Sequence, residues 1–271
     1  MQHRHTNRAQ YFEEQATTTR RYVIPFIEAY MKVGPETRVL EIGCGEGGNL
    51  IPFLERGCKE VRGIDLAAWK IHNGELFLTD WAEQQKDPNT PRAQLSCINI
   101  YDAKPEEWGQ FDLIFARDTL EHIHDQEAFM AFIRSFLKPT GKFFLGFPPW
   151  QNPFGGHQQM CESRVLSKLP YFHLLPRRAY AGLMRLFGET EGRIESLLEI
   201  EETRITIERF ESIARRTRYR ILQRNLYTIN PNYEVKFGLK PRIAPGILSR
   251  MKWVRNFFIT TNYYLLERAD V

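Results

Sequence analysis

The sequence predicts a doubly wound α/β fold, a parallel sheet covered on both faces by helices, with a helical cap inserted after the fifth strand. Three observations predict it. Short apolar runs alternate with helix or turn patterns through the first half of the chain; the first run passes straight into glycines and then a helix pattern; and after the fifth run a long, mainly helical stretch intervenes before strand-like patterns resume.

The first four strands are expected at 38–42, 61–65, 94–99 and 111–116. A helix follows the first of them over 48–56, with Leu50, Phe53 and Leu54 on one face and Gly57 placed to stop it. Another starts after Asp125, a good N-cap, and sets Phe129, Phe132, Ile133, Phe136 and Leu137 at core spacing. Lys138-Pro139-Thr140-Gly141 breaks that helix, and 142–147 reads as the fifth strand. Pro148, Pro149, Pro153, Gly155 and Gly156 then exclude a regular element, so a loop opens the inserted cap at 150–205. Thr206 is the N-cap of a closing helix, and strands at 219–226 and 257–267 bring the count to seven. A long excursion with Pro231, Pro241 and Pro245 separates them and holds a short helix near 247–254. The whole is one domain over 1–271, with an N-terminal helical segment at 1–35 and a closing region at 206–271.

A chain of 271 residues with 42% hydrophobic and 26% charged residues buries an ordinary soluble core. No apolar run approaches the roughly 18 residues a membrane span needs, and the first fifteen residues hold no signal-peptide apolar stretch. Cys44, Cys58, Cys97 and Cys161 are too dispersed for a disulfide framework or a CxxC site, which points to a reducing, cytoplasmic home. The net charge of +4 is uneven: residues 201–271 carry 14 Lys and Arg against 7 Asp and Glu. That excess reads as a solvated face, or as attraction to an anionic partner or peripheral membrane surface.

The chemistry concentrates in Val39-Leu40-Glu41-Ile42-Gly43-Cys44-Gly45-Glu46-Gly47-Gly48. Glycines there admit close approach of a ligand, and the free N–H groups of the following turn favour negative charge. A tight strand-to-helix turn would use the same residues. Glu41 precedes the first glycine, Asp65 ends the second strand where a carboxylate accepts both ribose hydroxyls, and Asp102 follows the third.

With Glu41-Ile42-Gly43-Cys44-Gly45-Glu46-Gly47-Gly48, Gly63-Ile64-Asp65, the Asp102 turn, the run 111–123 (FDLIFARDTLEHI) and the run 137–148 (LKPTGKFFLGFP) in order, the chain resembles the class I S-adenosylmethionine-dependent methyltransferases with a methyltransferase-11-like or -23-like domain. The likeness is good over 36–149 and looser beyond. It implies a Rossmann-like, mostly parallel seven-stranded sheet in the order 3-2-1-4-5-7-6, closed by an antiparallel hairpin, and S-adenosyl-L-methionine as cofactor. Carried across, it places Gly43 and Gly45 beneath the methionyl and ribose parts, Glu41 toward the methionine amino group, Asp65 on the ribose and Leu66 beside the adenine. Asp102, or the backbone at Tyr101, faces the adenine edge; Arg117 and Asp118 stand at the methionine end, open toward the acceptor. Asp102 as a turn-former and Asp118 as a helix cap are the alternatives. An N-terminal helix carrying Tyr11, Phe12 and Gln15 would close the pocket, or simply pack on the sheet.

Relatives that methylate nucleic-acid bases carry Asp/Asn-Pro-Pro-aromatic after the fourth strand; here that position reads Ala116-Arg117-Asp118-Thr119, which argues against a nucleic-acid substrate. A small-molecule or lipid- or carrier-linked acceptor is expected, with O-, N- and C-methylation open and no feature fixing the oligomeric state. His157, in the glycine-flexed loop after the fifth strand, is the preferred proton acceptor, assisted or replaced by His122. Loop bracing and helix-start packing are their structural alternatives. No metal is expected, because no acidic ligand cluster accompanies His122, His124, His157 and Cys161. The alternatives to a methyltransferase are an NAD-dependent oxidoreductase, opposed by the missing second mononucleotide half, and a non-catalytic cofactor-binding interaction protein.

Overall fold

In the computed structural model, which describes residues 7–86 and 90–269, the chain opens with α1 (Arg8–Thr18), a π-helical turn over Thr19–Val23 and α2 (Ile24–Glu28). Residues 1–6 of the expected N-terminal segment and 270–271 of the closing region lie outside the described residues. There follow β1 (Arg38–Ile42), α3 (Ile51–Glu55), β2 (Glu60–Asp65), α4 (Ala68–Gln84), β3 (Gln94–Cys97), α5 (Pro105–Trp108), β4 (Phe111–Arg117), α6 (Gln126–Ile133) and β5 (Leu137–Phe147). The cap begins with 3₁₀ turns and continues as α7 (Arg177–Leu186) and α8 (Glu191–Thr203). Then come α9 (Ile207–Arg216), β6 (Tyr219–Ile229), α10 (Asn232–Phe237), β7 (Arg242–Ile243), α11 (Gly246–Arg250) and β8 (Thr261–Arg268).

The sheet order is β3-β2-β1-β4-β5-β8-β6-β7. Strands β1 to β5 pair in parallel, and β8 inserts antiparallel between β5 and β6. The expected seven-strand order therefore holds, with one addition: β7, a two-residue strand paired antiparallel to the outer edge of β6. So short a piece within a proline-rich excursion leaves no alternation to read. The helix expected over 48–56 is a 3₁₀ turn at Gly48–Leu50 followed by α3, since Pro52 in its first turn suits a helix start better than an interior. The residues expected only to break the helix before the fifth strand belong to β5 as a bulge: Phe111 pairs with Leu137 and Leu113 with Lys142.

Interior parallel strands are buried on both faces and read as nearly unbroken apolar runs. In β4 every residue but Asp112 is buried, and each face carries its own core. Phe129, Ile133 and Phe210 from α6 and α9 pack on one side; Phe12, Ile24, Phe26 and Phe53 from α1, α2 and α3 pack on the other, where Phe115 stacks on Phe144 with centroids 5.0 Å apart. Asp125 and Thr206 cap α6 and α9 as expected, accepting from the amides of Ala128 and Arg209.

The cap has a separate core of Trp150, Leu166, Phe172, Tyr180, Met184 and Leu197. His173 braces it: Nε2 lies 2.8 Å from the Trp150 carbonyl and donates to it, so Nδ1 is left to accept from Gln158 Nε2 at 3.0 Å. Burial pushes the His173 pKa down to about 4, opposed by the bond to Trp150. A histidine held neutral in the fold binds its proton more readily once unfolded, so its contribution is intact above an unfolded pKa of about 6.5 and is lost as pH falls toward 4. We expect stability to decline over that window with a slope of up to about 1.4 kcal/mol per pH unit, and the decline to be absent in His173→Phe. Denaturant titrations at several pH values measure it; equal slopes in the two proteins would refute it.

Candidate cofactor and acceptor site

The glycine loop leaves β1 in a conformation that L side chains rarely adopt: φ is +73° at Gly43 and +57° at Gly45. Their surroundings differ. A Cβ on Gly43 would stand 2.4 Å from Thr119 Oγ1, whereas one on Gly45 meets nothing closer than Lys70 Cδ at 4.0 Å. Gly43 is thus needed where β1 and β4 exit side by side, and Gly45 faces open space. Gly43→Ala should therefore lower the melting temperature, while Gly45→Val should fold cooperatively with cofactor binding abolished. Calorimetry and thermal melts separate the two, and a Gly45→Val protein that binds normally would show that the cofactor lies elsewhere.

The Gly45 amide donates to Asp65 Oδ2 at 2.9 Å, and the Ala67 amide donates to Asp65 Oδ1 at 2.9 Å. Two backbone donors fix the carboxylate while each oxygen keeps a further lone pair. Leu66, next to it, is 71% exposed, and Cys97 Sγ reaches its carbonyl at 3.6 Å, bringing the β3 exit alongside. Tyr101 is exposed with its ring 5.0 Å from that of Phe132, and Asp102 is exposed on the same 3₁₀ turn, which Asn99 caps.

Glu41 is fully buried, and Asn49 Nδ2 donates to its Oε1 at 2.7 Å. Its Oε2 is buried without a hydrogen-bond partner among the described residues, and desolvation pushes its pKa up to about 8. Asn49 in turn accepts from Thr19 Oγ1 at 2.8 Å, and Thr19 accepts from Arg117 Nη1 at 3.3 Å. This chain ties the ends of β1 and β4 to the π-helical turn beyond α1. Helix α1 itself is clamped over the loop by Arg8, whose guanidinium pairs with the buried Glu46 at 2.5 Å and lies over the Tyr11 ring.

At the β4 exit Asp118 adopts φ +54° with its amide donating to the Gly146 carbonyl at 2.7 Å, and Arg117 Nε lies 3.5 Å from its carboxylate. His157, in the loop beyond β5, has φ +53°. Both are non-glycine residues in a left-handed conformation, which Lys86, Tyr171, Arg204, Arg218 and Trp253 also adopt. Between Asp118 and His157 lies a residue the sequence reading passed over. Glu121 is 3% exposed, and neither of its carboxylate oxygens makes a hydrogen bond to another residue among the described residues. Its Oε1 is 3.9 Å from His157 Nε2, and the His122 and His157 rings meet edge to face at 5.2 Å. Desolvation, then the Asp118 charge, holds the Glu121 carboxyl well above the usual carboxylate range. Partial desolvation lowers the His122 pKa against the pull of Asp118. His124 is exposed and Cys161 is buried in the cap core, so neither joins the group. The only signal for Glu121 was its place beside His122; burial without a partner is not legible from spacing.

A glycine loop tied to Asp65 at the carboxyl ends of β1 and β2, an N-terminal helix clamped over that loop, and strands after β5 that turn antiparallel instead of building a second mononucleotide half define a class I S-adenosylmethionine-dependent methyltransferase domain. The chain belongs to the methyltransferase-23 family, whose model, described as a methyltransferase domain, matches residues 11–189. It is 32% identical over 104 residues to the ubiquinone biosynthesis O-methyltransferase of Rhodopseudomonas palustris, covering 38% of this chain and 37% of that protein. It is 28% identical over 108 residues to the enzyme of the same name from Neisseria meningitidis serogroup C, covering 40% and 42%. The chain thus spans about two fifths of the length of these curated relatives. Similar folds include geranyl diphosphate C-methyltransferase from Streptomyces coelicolor (TM-score 0.55, 14% identity, 91% of this chain and 78% of that one). Magnesium protoporphyrin IX methyltransferase from Synechocystis is another (0.53, 13%, 97% and 87%).

Proposed function

We propose that this chain transfers the methyl group of S-adenosyl-L-methionine to an oxygen nucleophile on a small or carrier-linked apolar molecule, with His157 taking the proton. The observation that carries the reading is the buried Glu121 carboxyl, which makes no hydrogen bond to another residue among the described residues and lies 3.9 Å from His157, whose ring meets that of His122. The oxygen acceptor is supported by the names of the curated relatives, which match over about two fifths of this chain.

The residues present fit the cofactor: Glu41 Oε2 is a buried acceptor left over for an ammonium group, and Gly45 opens onto unfilled space. Glu41 would take the amino group, Asp65 the ribose, Leu66 and Tyr101 the adenine faces and Asp102 its edge. The Gly43 and Gly45 backbone would lie beneath, with Arg117 and Asp118 at the methionine end. When bound, the cofactor supplies an electrophilic methyl group on a sulfonium that leaves readily. What remains for the protein is alignment, exclusion of water and removal of one proton. The cap shields the opening, and the proton lost by the acceptor hydroxyl goes to His157, where the adjoining Glu121 and His122 can share it. Release of S-adenosylhomocysteine with hydroxylated apolar acceptors, against amine and carbon-acid analogues, tests the reading; turnover confined to amines would overturn the oxygen assignment.

A second reading rests on one distance: potential ligand atoms of Glu121, His122 and His157 lie within 4.8 Å of one another. A divalent cation held there would polarise the hydroxyl in place of a base. On the primary reading, dialysis against a chelator leaves turnover unchanged; loss restored by added Mg²⁺ or Mn²⁺ would move the assignment to the cation.

A further inference from the structure

The segment between β6 and β8 presents apolar and basic side chains to solvent together. Ile243, Ile247, Met251, Trp253 and Phe258 are 45–80% exposed, interspersed with the exposed cations Lys240, Arg242, Arg250 and Lys252. The sequence holds no acidic residue between Glu234 and Glu267. None of those four cations pairs with a carboxylate among the described residues, whereas exposed arginines elsewhere do, as in Arg20–Glu55, Arg185–Glu191 and Arg216–Glu127.

The exposure is built. Trp253 adopts φ +65°, a strained conformation for a bulky residue, and Glu208 on α9 holds it there. Glu208 Oε1 accepts from the Trp253 amide at 2.9 Å and from Arg255 Nε at 2.9 Å, while its Oε2 accepts from Asn256 Nδ2 at 2.6 Å. The clamp holds the Trp253 backbone and the Arg255 and Asn256 side chains that follow it, and the residue stands 61% exposed. The location also matters. Asn262 at the start of β8 pairs with Phe147 at the end of β5, so the segment emerges at the carboxyl rim of the sheet, where the acceptor loop also leaves. Tyr171 Oη of the cap donates to the Phe257 carbonyl at 2.9 Å, joining the two.

We propose that this face docks on an anionic lipid bilayer, with Trp253 and its apolar neighbours in the interface and the four cations over the headgroups. Charge complementarity selects this occupant: a protein partner or second copy would have to bring its own acidic patch, whereas an anionic bilayer supplies charge across the whole face, and Trp at the headgroup boundary suits its amphipathic ring. Each cation near such a surface strengthens binding about fivefold. The surface stands independently of which atom is methylated.

Vesicle sedimentation with the full chain tests it, using phosphatidylcholine alone and phosphatidylcholine with about a quarter phosphatidylglycerol. The wild type should pellet with the anionic vesicles and remain free with the neutral ones. Trp253→Gly preserves the left-handed backbone and removes the indole; it should weaken binding about tenfold and abolish the blue shift of tryptophan emission on binding. Arg250→Glu with Lys252→Glu should abolish binding at unchanged cofactor affinity. Equal partition of wild type and variants, or no pelleting, would overturn the proposal. So would a dimer in light scattering that Trp253→Gly dissolves, since that assigns the face to a second copy.

Discussion

His157→Ala will lower turnover by roughly 10²- to 10⁴-fold while leaving the affinity for S-adenosylmethionine unchanged, the signature of a lost general base. The expectation rests on position: the imidazole stands in a left-handed loop at the carboxyl rim, 3.9 Å from a buried carboxyl that makes no hydrogen bond to another residue among the described residues. His122→Ala should cost less, because that ring meets His157 from the exposed side. Glu121→Gln, nearly isosteric, should reduce turnover without unfolding the protein. Steady-state kinetics beside calorimetry of cofactor binding distinguish these results. Full activity in both histidine variants would leave alignment of the acceptor as the whole mechanism.

A large, measurable loss of binding is expected at Asp65. Its orientation is set by the Gly45 and Ala67 amides, so it needs no reorganisation to receive two ribose hydroxyls. Charge-assisted hydrogen bonds of this kind contribute about 1.5–3 kcal/mol, and Asp65→Ala should weaken cofactor binding about 100-fold. Gly45 and Ala67 also lose their acceptor, so a modest drop in melting temperature accompanies it. Titration with S-adenosylhomocysteine measures the change. Unchanged affinity, or selective binding of NAD by the parent protein, would sink the assignment.

The parallel half of the fold was legible because its strands are continuous apolar runs punctuated by glycine and proline, and because Asp125 and Thr206 announce their helices through capping chemistry. The grouping of Glu41, Gly43, Gly45 and Asp65 at the exits of β1 and β2 was legible for a related reason: they sit at fixed places relative to those strands. What escaped the reading depends on contacts distant in sequence. Thr19 and Asn49 connect Arg117 to Glu41 across four segments of chain, and nothing local marks either residue. Glu121 reads as an ordinary polar residue beside His122 until the fold buries it. The exposure of Ile243, Ile247, Met251, Trp253 and Phe258 in the excursion before β8 had no mark in the sequence, since composition alone does not tell which side of a segment meets solvent.

The cap closes on itself at its stem, where the Trp150 amide donates to the Ile205 carbonyl at 2.8 Å, so its first and last residues leave the sheet side by side. A further tie, from Thr203 Oγ1 to the Glu121 carbonyl at 2.6 Å, connects its last helix to the turn after β4. A segment with adjacent ends and its own apolar interior behaves as a cassette: it can be lengthened, shortened or exchanged for that of a cousin without re-threading the sheet. If the cap lines the acceptor, as proposed above, choice of acceptor and handling of the cofactor would be heritable separately, and a new substrate preference would need a replaced cassette and not a redesigned enzyme.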